Sequence, residues 1–172
     1  GWRFVAEGYD GLTDSGDEAQ IGSFSFGYSS VVDAGSDQNS LYLDWLTRVY
    51  SKNTTYLVAL GNGGHGYGTV ASPGGSAGLI SVGAFSSRTG ESAGATWGES
   101  ASWSNRGPNS QGRMDPDLVT IGWSATGDVT LNEKSDANNA YRSWAGTSLS
   151  TPVAAGLMAL LYQAWLEEHG TF

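Results

Sequence analysis

Gly146-Thr147-Ser148-Leu149-Ser150-Thr151-Pro152 runs straight into Val153-Ala154-Ala155-Gly156-Leu157-Met158-Ala159-Leu160-Leu161, and this stretch decides how the chain is read. A polar, glycine-bearing turn gives way to a run without charge, apolar on every face of a helical wheel. A helix of that kind is buried. Pro152 fits its first turn, where the missing N–H has no partner to lose. Gly170, after Glu167-Glu168-His169, is a stop signal. Ser148 then stands at the N-terminus of a buried helix, among N–H groups without helical partners and at the positive dipole end. That position suits a nucleophile or an oxyanion binder. It equally suits Ser148 and Ser150 as ordinary helix caps.

A chain of 172 residues holds one domain with a real core. With 26 glycines and only 15% charged residues it reads as a loop-rich ordered globule. The net charge of −9 opposes nucleic acid and anionic membrane as partners, because phosphates would be repelled. The absence of cysteine excludes disulfides, thiolate catalysis and thiolate metal sites. No initiator Met, signal-like apolar region or membrane-spanning run is evident, so the chain reads as a mature or cut piece without membrane insertion.

Trp2-Arg3-Phe4-Val5-Ala6 reads as a short strand, and the polar stretch from Gly8 to Glu18 as a loop. Ala19 to Phe26 alternates apolar and small residues, a strand signal. Gly35-Ser36-Asp37 offers an N-cap to a helix carrying Tyr42, Trp45, Leu46 and Val49 at helical spacing. Thr55–Leu60, Leu79–Phe85 and Asp117–Ile121 read as further strands. Strand–helix–strand succession of this length implies a parallel α/β sheet.

Gly61-Asn62-Gly63-Gly64-His65-Gly66 matches G-x-G-x-x-G, but loop residues follow where a dinucleotide site needs a helix. Asn62 is either a turn residue tolerating a left-handed backbone or a side-chain donor to an oxyanion. The segment around it, with Ala59-Leu60-Gly61 before and Leu79-Ile80-Ser81-Val82-Gly83-Ala84 after, is one of four stretches in one order. The others are Ser25-Phe26-Gly27, the pair Ser102-Trp103-Ser104-Asn105-Arg106-Gly107-Pro108 and Asp115-Pro116-Asp117-Leu118-Val119, and the Ser148 stretch. Together they resemble the subtilisin-like serine proteases (subtilases), whose corresponding pair reads Phe-Ser-Ser-x-Gly-Pro and Lys-Pro-Asp-Val. Thr120-Ile121-Gly122 departs from the Ala-Pro-Gly that follows there.

The resemblance implies an α/β, parallel-sheet subtilisin-like fold, residues 1–172 forming the C-terminal portion of a catalytic domain with a buried central helix starting near Ser148. It implies Ser148 as nucleophile and Asn62 as oxyanion donor. Ser25-Phe26-Gly27 and Ala59-Leu60-Gly61 would be the two walls of the S1 pocket. The substrate would be a polypeptide bound extended, in an extracellular or otherwise extracytoplasmic setting. Calcium is compatible with the family, although no ligand cluster is assignable and no metal residue is named.

The family also needs an aspartate and a histidine ahead of the asparagine. Asp14-Ser15-Gly16 imitates an Asp-Ser-Gly motif but lies in a charged loop and reads as a turn. No histidine falls between Asp14 and Asn62; the two present are His65, in a glycine loop, and His169, at the end of the last helix. The chain is therefore expected to be inactive alone, its missing Asp and His carried by an N-terminal segment or chain. Two other readings compete. A degenerate protease fold could bind peptide at Ser25-Phe26-Gly27 by strand addition. Gly90-Glu91-Ser92-Ala93-Gly94 matches the nucleophile elbow of α/β-hydrolases, with Asp115 or Asp128 and then His169 to follow, but it lacks the flanking strand and helix.

Overall fold

The computed structural model describes residues 1–28, 35–64, 66–86, 98–128 and 141–170. Five strands, β1 (Ile21–Phe24), β2 (Thr55–Ala59), β3 (Ile80–Ser86), β4 (Leu118–Asp128) and β5 (Tyr141–Ala145), lie in the order β1-β2-β3-β4-β5. The first four run parallel, and β5 turns back antiparallel against β4. β2 and β3 are apolar without alternation because a parallel strand is covered on both faces; Tyr56, Leu57, Val58, Val82 and Ala84 are all buried.

One face of the sheet is closed by α1 (Trp2–Glu7) and α2 (Gln38–Trp45), the latter continuing into a π-helical turn, Leu46–Tyr50. The expected strand at Trp2–Ala6 is thus a helix. Its apolar residues Trp2, Val5 and Ala6 follow helical spacing onto the core, and an i,i+4 ion pair joins Arg3 to Glu7. Tyr50 Oη adds a hydrogen bond to Glu7 Oε1 at 2.5 Å. The expected cap of α2 is present: Asp37 accepts from the backbone N–H of Asn39 at 3.0 Å and of Ser40 at 3.2 Å. Its buried stripe is Ser40, Leu43 and Leu46, while Trp45 and Val49 face outward. Phe24, Leu43, Leu46, Tyr56, Val58 and Leu79 form the main core.

The other face carries α3 (Thr147–His169). Leu57, Val82 and Ala154 pack there, with Ile21, Ile80, Leu118 and Ala155 half-buried around them. Gly122 lets helix and sheet approach: an added Cβ would lie 2.3 Å from Ser150 Oγ and 2.4 Å from Ala84 Cβ. Thr120 Oγ1 donates to the Ser150 carbonyl at 2.7 Å, tying β4 to the helix.

Two expectations about this helix are corrected. It is not buried: only its first two turns are covered, and Val153, Leu157, Leu160, Leu161 and Trp165 form an outward apolar stripe, with Leu157 54% and Leu161 64% exposed. Apolar composition says that such a helix needs cover; the sheet supplies it on one side only. By length and composition α3, with mean hydropathy 1.3, is also apolar enough to cross a membrane, a test that core helices of soluble folds pass as well. Nor is Pro152 in the first turn. The helix begins at Thr147, which makes Pro152 its sixth residue. Strand β5, not foreseen from the sequence, leads into α3 through Gly146, whose φ of 147° and ψ of 156° suit glycine.

Candidate active site

Ser148 is the second residue of α3 and exposed to solvent. A proline inside a helix removes the hydrogen bond to the carbonyl four residues earlier. For Pro152 that carbonyl belongs to Ser148. The vacant acceptor is filled from the sheet: Ser25 Oγ donates to Ser148 O at 2.8 Å, and Ser148 Oγ donates to Ser25 O at 3.3 Å. This reciprocal clasp fixes the serine against the segment leaving β1. The proline that the sequence reads as a first-turn residue therefore shapes the site from inside the helix.

Asn62 approaches from the end of β2. Gly61, at φ 108°, turns the chain so that the Asn62 amide reaches the start of α3. Asn62 Oδ1 accepts from Thr147 N at 2.8 Å and from Thr147 Oγ1 at 3.0 Å, while Gly61 N donates to Thr147 Oγ1 at 3.2 Å. A first-turn N–H of α3 is thus satisfied by a residue 85 positions away, in place of a local cap. Because Oδ1 is committed to Thr147, the Nδ2 hydrogens are the part of the amide left to meet a ligand. Fully buried Thr147 is the orienting group that the sequence reading passed over, since its neighbour Ser148 carried the motif.

Ser148 and Asn62 face one cleft of about 420 Å³, lined also by Ser25, Phe26, Gly27, Ala59, Gly61, Gly63, Ala71 and Thr147. Every site residue named from the sequence lies on it except Leu60. That side chain is fully buried beside Val70. Its backbone is engaged internally, N–H to Val82 O at 3.0 Å and C=O from Ala71 N at 3.1 Å. Gly27 sits so close to the loop before Pro73 that an added Cβ would lie 2.6 Å from Ser72 O.

Among the described residues no histidine or carboxylate lines the cleft. His65 and the Ser92 elbow lie outside the described residues. His169 closes the unbroken α3, about 30 Å along its axis from Ser148 at 1.5 Å per residue, and packs its ring on Trp165. Asp14 has a left-handed φ of 61° in a turn and accepts from Asn53 Nδ2 at 2.7 Å, away from the cleft.

Asp17 and Glu18 of the 8–18 loop are committed to its own donors: Asp17 to Tyr9 N and Ser15 Oγ, Glu18 to Ser15 N and Gly16 N. Asp115 and Asp117 flank the Arg113 guanidinium and share the hydroxyl of Ser81. Burial pushes the Asp115 carboxyl up, against the pull of Arg113. No cluster of three or more His, Cys, Asp or Glu side chains placed to hold a metal ion occurs among the described residues.

Comparison with known proteins bears on the family and the fold. The subtilase family model matches residues 5–169. The chain is 33% identical over 121 residues to the serine protease AprX of Bacillus subtilis (strain 168), covering 66% of this chain and 27% of AprX. It is 30% identical over 152 residues to the uncharacterized protein aq_aa18 of Aquifex aeolicus (strain VF5), covering 77% of this chain and 69% of that protein. Among solved structures, sphericase superposes with a TM-score of 0.65 at 26% identity, over 99% of this chain and 49% of sphericase. The chain thus spans about half of sphericase and about a quarter of AprX. Its mostly parallel sheet, the long helix opening at Thr147 and the family match along nearly its whole length place this chain in the subtilase family.

Proposed function

We propose that this chain is the serine-bearing C-terminal portion of a subtilisin-like endopeptidase catalytic domain. The observation that carries the reading is the meeting of Ser148 and Asn62 at the N-terminus of α3 in one cleft. In the proposed reaction Ser148 Oγ attacks the scissile carbonyl of an extended polypeptide held between Ser25-Phe26-Gly27 and Ala59-Gly61. Its proton passes to a histidine oriented by an aspartate, and the acyl-enzyme is later hydrolysed by water. Asn62 Nδ2 and the first-turn N–H of Ser148 stabilise the oxyanion.

In the described residues the Ser148 hydroxyl donates to a backbone carbonyl, which has no capacity to take the proton. The histidine and aspartate come from polypeptide beyond this chain. That polypeptide docks on the outer stripe of α3, where apolar surface is exposed, and along β1, which has no strand beyond it among the described residues. Alone, the chain is inactive. The proposed setting is extracellular or otherwise extracytoplasmic.

The parking of Ser148 on Ser25 O also favours a second reading, a peptide-binding module that keeps the cleft without catalysis. Fluorophosphonate labelling with peptide mapping separates them. Label on Ser148 when the chain is joined to its upstream polypeptide, and none on the chain alone, supports the protease. Label on Ser92 supports the hydrolase elbow. No label on the joined, folded protein supports the binding module.

A further inference from the structure

Asn62 can donate to an oxyanion only if the loop carrying it is rigid, yet Gly61-Asn62-Gly63-Gly64 is made mostly of the residue with the greatest backbone freedom. Something outside the loop must hold it. Asn105 meets that need. It is 1% exposed and reaches the loop on both sides of Asn62: its Nδ2 donates to Leu60 O at 3.0 Å, and its Oδ1 accepts from Gly63 N at 2.7 Å. Its backbone N–H donates to Gly61 O at 3.0 Å, and Gly64 N donates to Trp103 O at 3.0 Å. Asn105 therefore bonds Leu60, Gly61 and Gly63 and leaves Asn62, between them, as the residue whose side chain is turned to the cleft. The fit is close: an added Cβ on Gly61 would lie 2.2 Å from Asn105 Nδ2.

We infer that Asn105 is a positioning residue for the oxyanion donor, acting through the Asn62 loop without touching substrate. The inference rests on the reading of Asn62 given above. An asparagine amide supplies one acceptor and two donors in a plane, which is what a clamp between a carbonyl and an N–H requires. A serine, the residue at the corresponding place in the family pattern quoted above, is too short to span both. A buried amide with both ends satisfied fixes geometry because breaking either bond leaves a desolvated polar group.

The test is a double-mutant cycle in the active protein, with this chain joined to its upstream polypeptide and a peptide p-nitroanilide as substrate. Asn62→Ala is expected to lower kcat by about 10²–10³-fold, a scale that belongs to subtilisin's own asparagine donor. Asn105→Ala is expected to lower kcat by roughly 10–100-fold with KM changed less than about twofold, the signature of a displaced donor. In the Asn62→Ala background the same change should cost little more, because the group it positions is gone. Asn105→Ser, a neutral side chain too short to keep both bonds, should fall between wild type and Asn105→Ala and serves if the alanine variant does not fold.

Equal losses in both backgrounds, or a loss confined to KM or to thermal stability, would overturn the inference while leaving Asn62 as donor. An Asn62→Ala variant with full kcat would overturn the oxyanion reading itself, and the role of Asn105 with it.

Discussion

The two faces of the sheet are both covered by helices and end up differently. On the α1/α2 face, Phe24, Tyr56 and Val58 meet Leu43, Leu46 and Ala6, and three short helical pieces close over them. On the α3 face, Leu57 and Val82 meet Ala154 with Ile21, Ile80, Leu118 and Ala155 only half-buried around them, and a helix of 23 residues presents its second apolar stripe to solvent. The first face is finished within the chain. The second uses a helix apolar on both sides, and only one side finds a partner here. The candidate cleft lies at the start of the unfinished layer, so the part of the molecule proposed to carry the chemistry is also the part whose apolar surface is least covered among the described residues.

The largest effect that can break this comparison is a pair of leucine truncations. Leu43→Ala, on the finished face, should cost about 2–5 kcal/mol through lost burial and a cavity. Leu157→Ala, on the outer stripe of α3, should change the stability of the isolated chain by no more than about 0.5 kcal/mol. Urea midpoints read both. Joined to the upstream polypeptide, Leu157→Ala should rise to about 2 kcal/mol or more, as a buried leucine does. Equal costs in the isolated chain would mean that α3 already covers itself, by self-association, and the contrast between faces would fall.

Two glycines sharpen the same contrast on opposite sides of α3. Gly122, under the helix, has no room for a methyl group, so Gly122→Ala should destabilise by about 1–3 kcal/mol by overpacking. Gly156, on the outer side, has nothing within 4 Å of an added Cβ. Gly156→Ala should therefore stabilise the isolated chain by up to about 1 kcal/mol through helix propensity. Thermal unfolding of both variants checks the signs. A stabilisation by Gly156→Ala that turns into a loss in the joined protein would locate the covering polypeptide against that side of the helix.

How much of this was legible depended on whether the signal was local. The Asp37 cap, the Gly170 stop and the parallel strands were readable because turn chemistry and strand composition act within a few residues. That Ser148 and Asn62 share one cleft was expected because their flanking stretches resemble a family. The Trp2–Ala6 segment was not: five residues are too few to separate period 2 from period 3.6, and the Arg3–Glu7–Tyr50 contacts that favour the helix depend on a residue far along the chain. Leu60 sits between two cleft residues, yet its side chain alternates into the core. The bareness of α3 was illegible for a different reason, because the sequence states a demand for cover and not who meets it.

The smallest predicted effect concerns acid. Asp37 caps α2 on the finished face and also accepts from Ser72 Oγ at 2.6 Å, whose carbonyl in turn accepts from Tyr28 N at 2.7 Å beside the cleft wall. Burial works to raise this carboxyl, but the Ser40 and Ser72 hydroxyls and the Ser40 and Asn39 amides outweigh it and hold it below the usual carboxylate range. A depressed folded value means that the unfolded chain binds the proton more readily. The contribution to stability is therefore fully present above the unfolded value of about 3.9 and is lost as pH falls through the lower folded one. Asp37→Asn should lower stability at neutral pH and flatten the acid limb between about pH 4 and the lower folded value. Hydrogen exchange across that window should loosen the α2 amides while the first turn of α3, held by the uncharged Asn62 and Thr147, keeps its protection. If both helices loosen together, the faces are coupled through the loop at Ser72, and the finished face is carrying the cleft as well as its own core.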